Sequence, residues 1–342
     1  MTDTNMWALY KSYNDSDYVI EHVLQKEPLP FGIRALDNAL SPTGSAFDAM
    51  GNPLGGLPSG IPTVVAGEPG CGKSALAIIS SYNAVSRGKL PMFFTIEMPR
   101  QMVLSRLLSV HTAQKRAQEE RRDGSPSTHQ VWWSTTGNVV RKNAGHIITD
   151  YDEATRYVND HYAHDYVIQA WDDFSTHVYP NMMVIDSYVN ALTGETSPRL
   201  TCDRICEMVR NVHTIYPNVY PIIDYLQLTL TGSDSEYNDV NEASGMYRSL
   251  AKELDIPLLL ISSMRKAGVN ERKEPPSLSQ LKGSGNIGYD AGTVIMLRRD
   301  DSQDTDEHSS ESHVTAHIVK NRVGKPNIEA HLIFNGGLNA YR

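Results

Sequence analysis

Apolar residues along the chain fall into two kinds of block. Short, nearly unbroken runs occur at PTVVAG (62–67), PMFFTI (91–96), MMVID (182–186), PIIDYLQL (221–228) and IPLLLIS (256–262). Three more follow at TVIMLRR (293–299), HVTAHIV (313–319) and IEAHLIF (328–334). Between several of them lie stretches with amphipathic spacing, such as LTCDRICEMVRNVHTIY (200–216) and NEASGMYRSLAKELD (241–255). The first kind predicts buried strands and the second helices. Their alternation predicts βαβ units, hence an α/β fold with a mostly parallel, twisted sheet flanked by helices on both faces. The last three runs have short connections, which permit antiparallel pairing.

Two regions break the rhythm. In residues 1–30, DSDYVIEHVLQKEP places Val19, Ile20, Val23 and Leu24 on one stripe, which predicts a short amphipathic helix in an arm outside the sheet. Residues 111–180 are polar, with a Gly/Ser/Pro break at 124–127, and predict a helical insertion into one domain spanning 31–342. That insertion has tryptophans at 132, 133 and 171, and Trp132 and Trp133 either anchor it to the main body or mark a partner surface. His161 and His164 read as surface residues, and the acidic stretch 298–312 as a solvated loop between two strands.

Composition changes this picture in three ways. The 342 residues, 40% hydrophobic and 21% charged, suffice for a sizeable core. A net charge of -9 excludes coating of nucleic acid or membrane by overall positive charge and leaves room only for a local basic site. No apolar run is long enough to span a membrane, and the opening lacks the layout of a signal peptide, so a soluble, cytoplasmic protein is expected. The three cysteines, Cys71, Cys202 and Cys206, suit a reducing compartment, and the one-turn spacing of the last two favours burial on a helix over a metal site.

The strongest chemical signal is GEPGCGKS, from Gly67 through Glu68, Pro69, Gly70, Cys71, Gly72 and Lys73 to Ser74, with Ala75 opening the apolar stretch that follows. It is a phosphate loop in the strand-loop-helix setting the motif requires. Gly70 and Gly72 let backbone N–H groups curl around phosphates, Lys73 neutralises β and γ oxygens, and Ser74 is the expected Mg²⁺ ligand of a bound ATP. The second acid of such a site sits at a strand end. Asp186 and Asp224 both satisfy that from the residues alone.

Further segments then carry a resemblance. IDYLQL after PI, FFTIEMPRQMVLSRLLS (93–109), LPFGIRALD (29–37) with GGLPSG (55–60), SLAKELDIPLLLISS (249–263), LSQLKGSGNIGYDAG (278–292) and IVKNRVGKP (318–326) stand in the order of the DnaB-type replicative helicases, which they resemble. The resemblance covers about residues 29–342 and only the RecA-like ATPase domain of that family. It implies a RecA-like P-loop NTPase fold, ATP and Mg²⁺ as cofactors, and Asp224 over Asp186 as the metal-linked acid. Glu97 corresponds to the glutamate that activates the attacking water, with helix capping as its alternative role. Arg106 matches an arginine tied to the same site, with a surface ion pair as the alternative. Gln227 reads as ordering the sheet end.

Lys320 and Arg322 stand two apart in a strand and so share a face. Alone they resemble the charged positions that protect an edge strand. In DnaB-like rings the paired cations reach into the ATP site of the adjacent subunit, which implies a homo-oligomer, a hexamer by resemblance, with sites at subunit interfaces. Single-stranded DNA is expected in the pore, against the segment 263–286, where Arg265, Lys266, Arg272, Lys273 and Lys282 outnumber Glu271 and Glu274. Within it Lys282, Gly283 and Gly285 occupy the family's DNA-backbone loop, and a basic loop without ligand is the alternative. Departures from the family are Ser263 in place of a γ-phosphate-sensing glutamine, and Lys282 and Gly283 in place of arginine and glutamate. The helix at 15–26 stands where the family's linker clasps a neighbouring subunit, and the family's N-terminal domain has no counterpart in the chain. The expectation is a ring ATPase that moves 5′ to 3′ on single-stranded DNA and unwinds duplex, with loader and primase among the replisome partners. A RecA- or KaiC-like ATPase without unwinding activity, or an ATP-binding replisome or defence adaptor, are the alternatives.

Overall fold

A computed structural model describes residues 27–41, 55–123, 171–186, 200–229, 236–265, 274–282, 285–300, 311–336 and 340–341. Nine strands form one sheet in the order β3-β2-β4-β5-β1-β6-β7-β8-β9. They are β1 (Pro62–Gly67), β2 (Leu90–Thr95), β3 (Met183–Ile185), β4 (Val219–Asp224), β5 (Leu258–Ser263), β6 (Thr293–Arg299), β7 (Glu311–Asn321), β8 (Ile328–Asn335) and β9 (Ala340–Tyr341). The first six run parallel, and β6 to β9 continue as antiparallel neighbours. The sequence explains the contrast. Every residue of β1 and β4 is buried, as a central parallel strand covered on both faces requires. In β7 the burial alternates over Val314, Ala316 and Ile318, as in an antiparallel strand with one wet face. Only β9 has no apolar run to announce it.

The described helices are α1 (Arg34–Leu40), α2 (Lys73–Val85), α3 (Arg100–Asp123), α4 (Cys202–His213), α5 (Glu236–Leu254) and α6 (Gly285–Asp290). On one face of the sheet α1, α2 and α3 bury Leu36, Leu76, Ile78, Val103 and Leu107 against Val65, Leu259, Ile261 and Ile295. On the other, α4, α5 and α6 bury Ile205, Val209, Tyr247, Leu250 and Ile287 against Val64, Leu260, Val294 and Met296. Cys202, Ile205, Cys206 and Val209 are the buried stripe of α4, so its two thiols are core residues. Arg210 at the rim of that stripe forms a bidentate pair with Glu253 of α5, an exposed pair that adds little beyond fixing the two helices' register.

Of the predicted insertion at 111–180, residues 111–123 continue α3 and the described end from 171 is helical, where Trp171, Phe174 and Tyr179 pack against the α2 and α3 face. Trp132, Trp133, His161, His164, the arm helix at 15–26 and most of the acidic loop lie outside the described residues. Among the described residues no helix is long and apolar enough to cross a membrane.

Candidate functional site

The C-terminal ends of four neighbouring parallel strands meet at one edge of the sheet. Gly67 of β1 lies opposite Ser263 of β5, and Asp224 of β4 opposite Thr95 of β2. From Gly67 the chain makes the glycine-rich loop and enters α2. Gly72 precedes the helix in a left-handed conformation, φ 80°. A Cβ there would also lie 2.2 Å from the Tyr341 hydroxyl, so both backbone shape and space demand glycine. The loop is braced from behind: Tyr341 donates a 2.7 Å hydrogen bond to the Cys71 carbonyl and packs on Phe334, their ring centroids 4.9 Å apart. Across the mouth of the loop the Lys73 ammonium donates to the Glu68 carbonyl at 3.0 Å. Pro69 and Gly70 form its exposed crest, and Ala75 is buried in the first turn of α2.

Asp224 is the electrostatic centre of this edge. It is buried, and among the described residues neither carboxylate oxygen has a donor in hydrogen-bonding geometry. Burial raises its pKa to about 6. The Ser74 hydroxyl draws it down without completing a hydrogen bond, the negative charge of Glu97 raises it, and Lys73 and Arg106 lower it. Four predicted residues from three elements therefore act on one carboxylate. Glu97 itself is exposed, two residues beyond β2, where Ile96 is tied to the Asp224 carbonyl at 2.9 Å. Asp186 is elsewhere: β3 is the edge strand, and Asp186 accepts the Arg100 N–H at 2.8 Å as the cap of α3. Strand order thus separates the two candidate acids. Among the described residues no three His, Cys, Asp or Glu side chains cluster for a metal. A buried carboxylate next to a serine hydroxyl is nonetheless what a phosphate-bound hard cation needs from a protein.

Lys320 and Arg322 do not join this edge. Lys320 pairs with Val294 of β6, and the Arg322 N–H bonds the Gly292 carbonyl, at the level where β1 begins. The whole length of β1, roughly 16 Å at its rise per residue, separates that level from Gly67. They also face the other way. The register of β6 and β7 shifts between Val294 and Ile295, and this bulge turns Lys320 onto the α6 face, whereas Ile318 faces α2. There the Lys320 ammonium donates to the carbonyls of Gly288 (2.6 Å), Ala291 (2.7 Å) and Tyr289 (3.3 Å). Arg322 donates to the Tyr289 carbonyl at 3.0 Å. The carbonyls ending α6 thus hold both cations. Burial and the charge of Arg322 lower the Lys320 pKa, Asp290 raises it, and Arg248, paired to Asp290 at 3.2 Å, lowers it. Arg322 remains exposed, beside the exposed Tyr289 and Val323.

The basic segment is described at its stem. Arg265 and Lys282 are exposed on opposite sides of a short ladder, in which the Arg265 N–H bonds Gln280 (2.9 Å) and the Lys282 N–H bonds Ser263 (3.0 Å). The ladder continues β5, so it rises from the same edge as the phosphate loop. Lys266, Arg272, Lys273 and Gly283 lie outside the described residues, and Gly285 opens α6.

A family model for the DnaB-like helicase C-terminal domain matches residues 43–158 and 176–342. The chain belongs to this family. Replicative DNA helicase DnaB of Leifsonia xyli subsp. xyli is 27% identical over 273 residues, covering 79% of this chain and 49% of that protein. DnaB of Pasteurella multocida is 23% identical over 307 residues, covering 89% of this chain and 56% of that protein. The chain spans about half the length of these curated relatives. In fold it matches a solved ATPase domain over all of this chain and 99% of that one, with a TM-score of 0.63 and 19% identity. A DnaB-like replicative helicase described with its interactions with primase matches with a TM-score of 0.64 and 20% identity, covering 100% of this chain and 66% of that one. The fold is therefore the RecA-like one of helicase ATPase domains.

Within this DnaB-like domain, sequence reasoning missed two features. Tyr341 and Phe334 buttress the phosphate loop from the far end of the chain, and a tyrosine just past a glycine-rich turn was the one available signal. The Arg248–Asp290 pair beside Lys320 had no signal, because its two residues come from separate helices.

Proposed function

We propose that this chain is the motor domain of an ATP-driven DNA helicase that works as a ring, hexameric as the resemblance implies, translocating on single-stranded DNA and separating duplex ahead of it. The observation that carries the reading is the division of the machinery within one chain. The phosphate loop and Asp224 lie at one end of β1, and Lys320 and Arg322 lie at the other end and on the opposite face. No arginine side chain bridges that separation, so these cations serve a nucleotide held by another copy.

In this mechanism the N–H groups of residues 67–75 and the Lys73 ammonium hold the ATP phosphates, at a helix N-terminus that favours anions. Mg²⁺, held by Ser74 and through water by Asp224, would neutralise the β and γ oxygens. Glu97, exposed at the mouth, receives the proton of the water that attacks the γ-phosphorus, and Arg106 balances its charge. Arg322 of the adjacent copy meets the negative charge that develops on the transferred phosphoryl group. Lys320, committed to three carbonyls, fixes the turn that carries Arg322. Ser263, level with Gly67, registers the γ-phosphate through backbone or water, its hydroxyl being too short for direct contact. Arg265, Lys266, Lys273, Lys282, Gly283 and Gly285 contact the DNA backbone without reading sequence. Replisome proteins such as a loader or primase and a cytoplasmic setting belong to the same reading.

The test is ATP turnover with and without a single-stranded oligonucleotide, together with unwinding of a forked duplex. DNA-stimulated turnover and unwinding, both lost in Lys73→Ala, are expected. Turnover indifferent to DNA, with no unwinding by an assembled ring, would point to a RecA- or KaiC-like ATPase, and absence of turnover to an adaptor.

A further inference from the structure

We infer that Gln227 is a positioning residue that links the nucleotide site to the DNA-binding stem through its side-chain amide. The inference rests on the motor reading above. Gln227 lies three residues beyond Asp224, in the tight turn Leu226–Leu228 that follows β4. Its side chain is buried, and its amide is bonded on three sides. The Nε2 group donates to the Ser262 hydroxyl at 2.8 Å and to the Lys282 carbonyl at 2.9 Å, and Oε1 accepts from the Ser263 N–H at 3.3 Å. One amide thus joins the strand that carries Asp224, the strand end level with Gly67, and the returning side of the stem that carries Lys282.

The geometry suits transmission. A buried amide with both donors used is stiff, because any displacement leaves a polar group unpaired at low dielectric. At the base of the stem Met264 stands opposite Leu281, both in the core, with a backbone bond on either side, and the Arg265 Nε–H donates to the Ser279 carbonyl at 3.4 Å. A shift of the Asp224 turn when the phosphates change is carried three residues along the backbone to Gln227. From there it reaches the peptide of Lys282, on which the DNA-facing cation is mounted. A residue that merely ordered the sheet end would affect stability and leave the response to DNA intact.

The experiment uses assembled protein. Turnover with and without a single-stranded oligonucleotide is expressed as a ratio for wild type, Gln227→Met and Gln227→Glu, alongside thermal denaturation. Methionine keeps the volume and removes all three bonds, and glutamate keeps the acceptor for Ser263 and removes both donors. The stimulation ratio is expected to fall about tenfold in both. Ser262→Ala, which removes one partner, is expected to retain most of it. An unchanged ratio in a folded Gln227→Met protein overturns the inference and leaves the motor reading standing, whereas an unstimulated wild type overturns the motor reading itself. Should the Gln227 variants not fold, hydrogen exchange at the Lys282 amide decides on wild type alone. Protection that differs between ADP and a non-hydrolysable ATP analogue is expected, and identical protection overturns the link.

Discussion

Among the described residues, a buried carboxylate at the Gly67 end of β1, Asp224, has no donor in hydrogen-bonding geometry, while at the Pro62 end an ammonium, Lys320, has three acceptors and Arg322 has one. The two ends solve opposite problems. A surface that must receive a charged ligand keeps an acid poorly solvated, which is unfavourable until a partner arrives. A surface that must present a cation to another molecule fixes it against carbonyls at a helix end, so that little freedom remains to be lost on contact. On the proposed reading, the first end is half of a site, and the second is the other half facing outward.

Substitutions at the two ends should therefore fail differently. Arg322→Ala is expected to lower turnover of the assembled protein by about a thousandfold, the scale of an arginine finger, while nucleotide affinity of a single chain stays within about twofold. Asp224→Asn should abolish turnover as well, and in addition weaken Mg²⁺-dependent nucleotide binding, which a fluorescent nucleotide titrated with and without chelator would reveal. Equal binding defects in both variants would erase the distinction between the ends.

A smaller effect tests the Pro62 end through pH. Asp37 of α1 lies on this side, since the Leu40 carbonyl accepts from Asn321 at 3.5 Å. Burial raises its pKa to about 7, against the pull of the Phe31, Gly32 and Ile33 N–H groups and of Arg87. A raised pKa means that the folded state binds the proton more tightly than the unfolded one. The associated stability is complete below about pH 4 and is lost as pH climbs through 7. The melting temperature should fall by several degrees between pH 5 and 8 in wild type and stay flatter in Asp37→Asn, with the proton accounting for up to about 4 kcal/mol. A parallel pair of curves would refute this assignment.

The smallest effect belongs to the buttress of the phosphate loop. Tyr341→Phe removes only the hydrogen bond to the Cys71 carbonyl, about 1 kcal/mol, so a few-fold rise in KM for ATP with little change in kcat is expected. A kcat loss as large as that of Arg322→Ala would mean that Tyr341 does more than brace the loop.

Much of this was legible along the chain, and the remainder was lost for identifiable reasons. Each of the eight apolar runs overlaps a strand, continuous in β1 and β4 because burial on both faces imposes it, and alternating in β7, where one face is wet. The two-residue β9 has no such pattern. The phosphate loop announces itself because its geometry comes from local residues, two of its glycines sitting at positive φ. Asp186 and Asp224 looked equivalent because both are acids at parallel strand ends; their difference lies in strand order, which is a long-range property. The shared face of Lys320 and Arg322 followed from their spacing, but which face it is did not. Simple alternation from Ile318 would aim Lys320 at α2, and the bulge reverses it. Gln227 and Tyr341 depend on partners 35 to 270 residues away, beyond the reach of any local pattern.

The division of the site between copies is tested most directly by mixing two variants that are each inactive. Lys73→Ala keeps the outward cations and loses the cradle, and Arg322→Ala keeps the cradle and loses the finger. Combined in one ring, an Arg322→Ala cradle can stand beside an Arg322 supplied by a Lys73→Ala neighbour, so turnover should reappear in the mixture. A mixture as inactive as its components, together with full turnover by an isolated wild-type chain, would contradict the account.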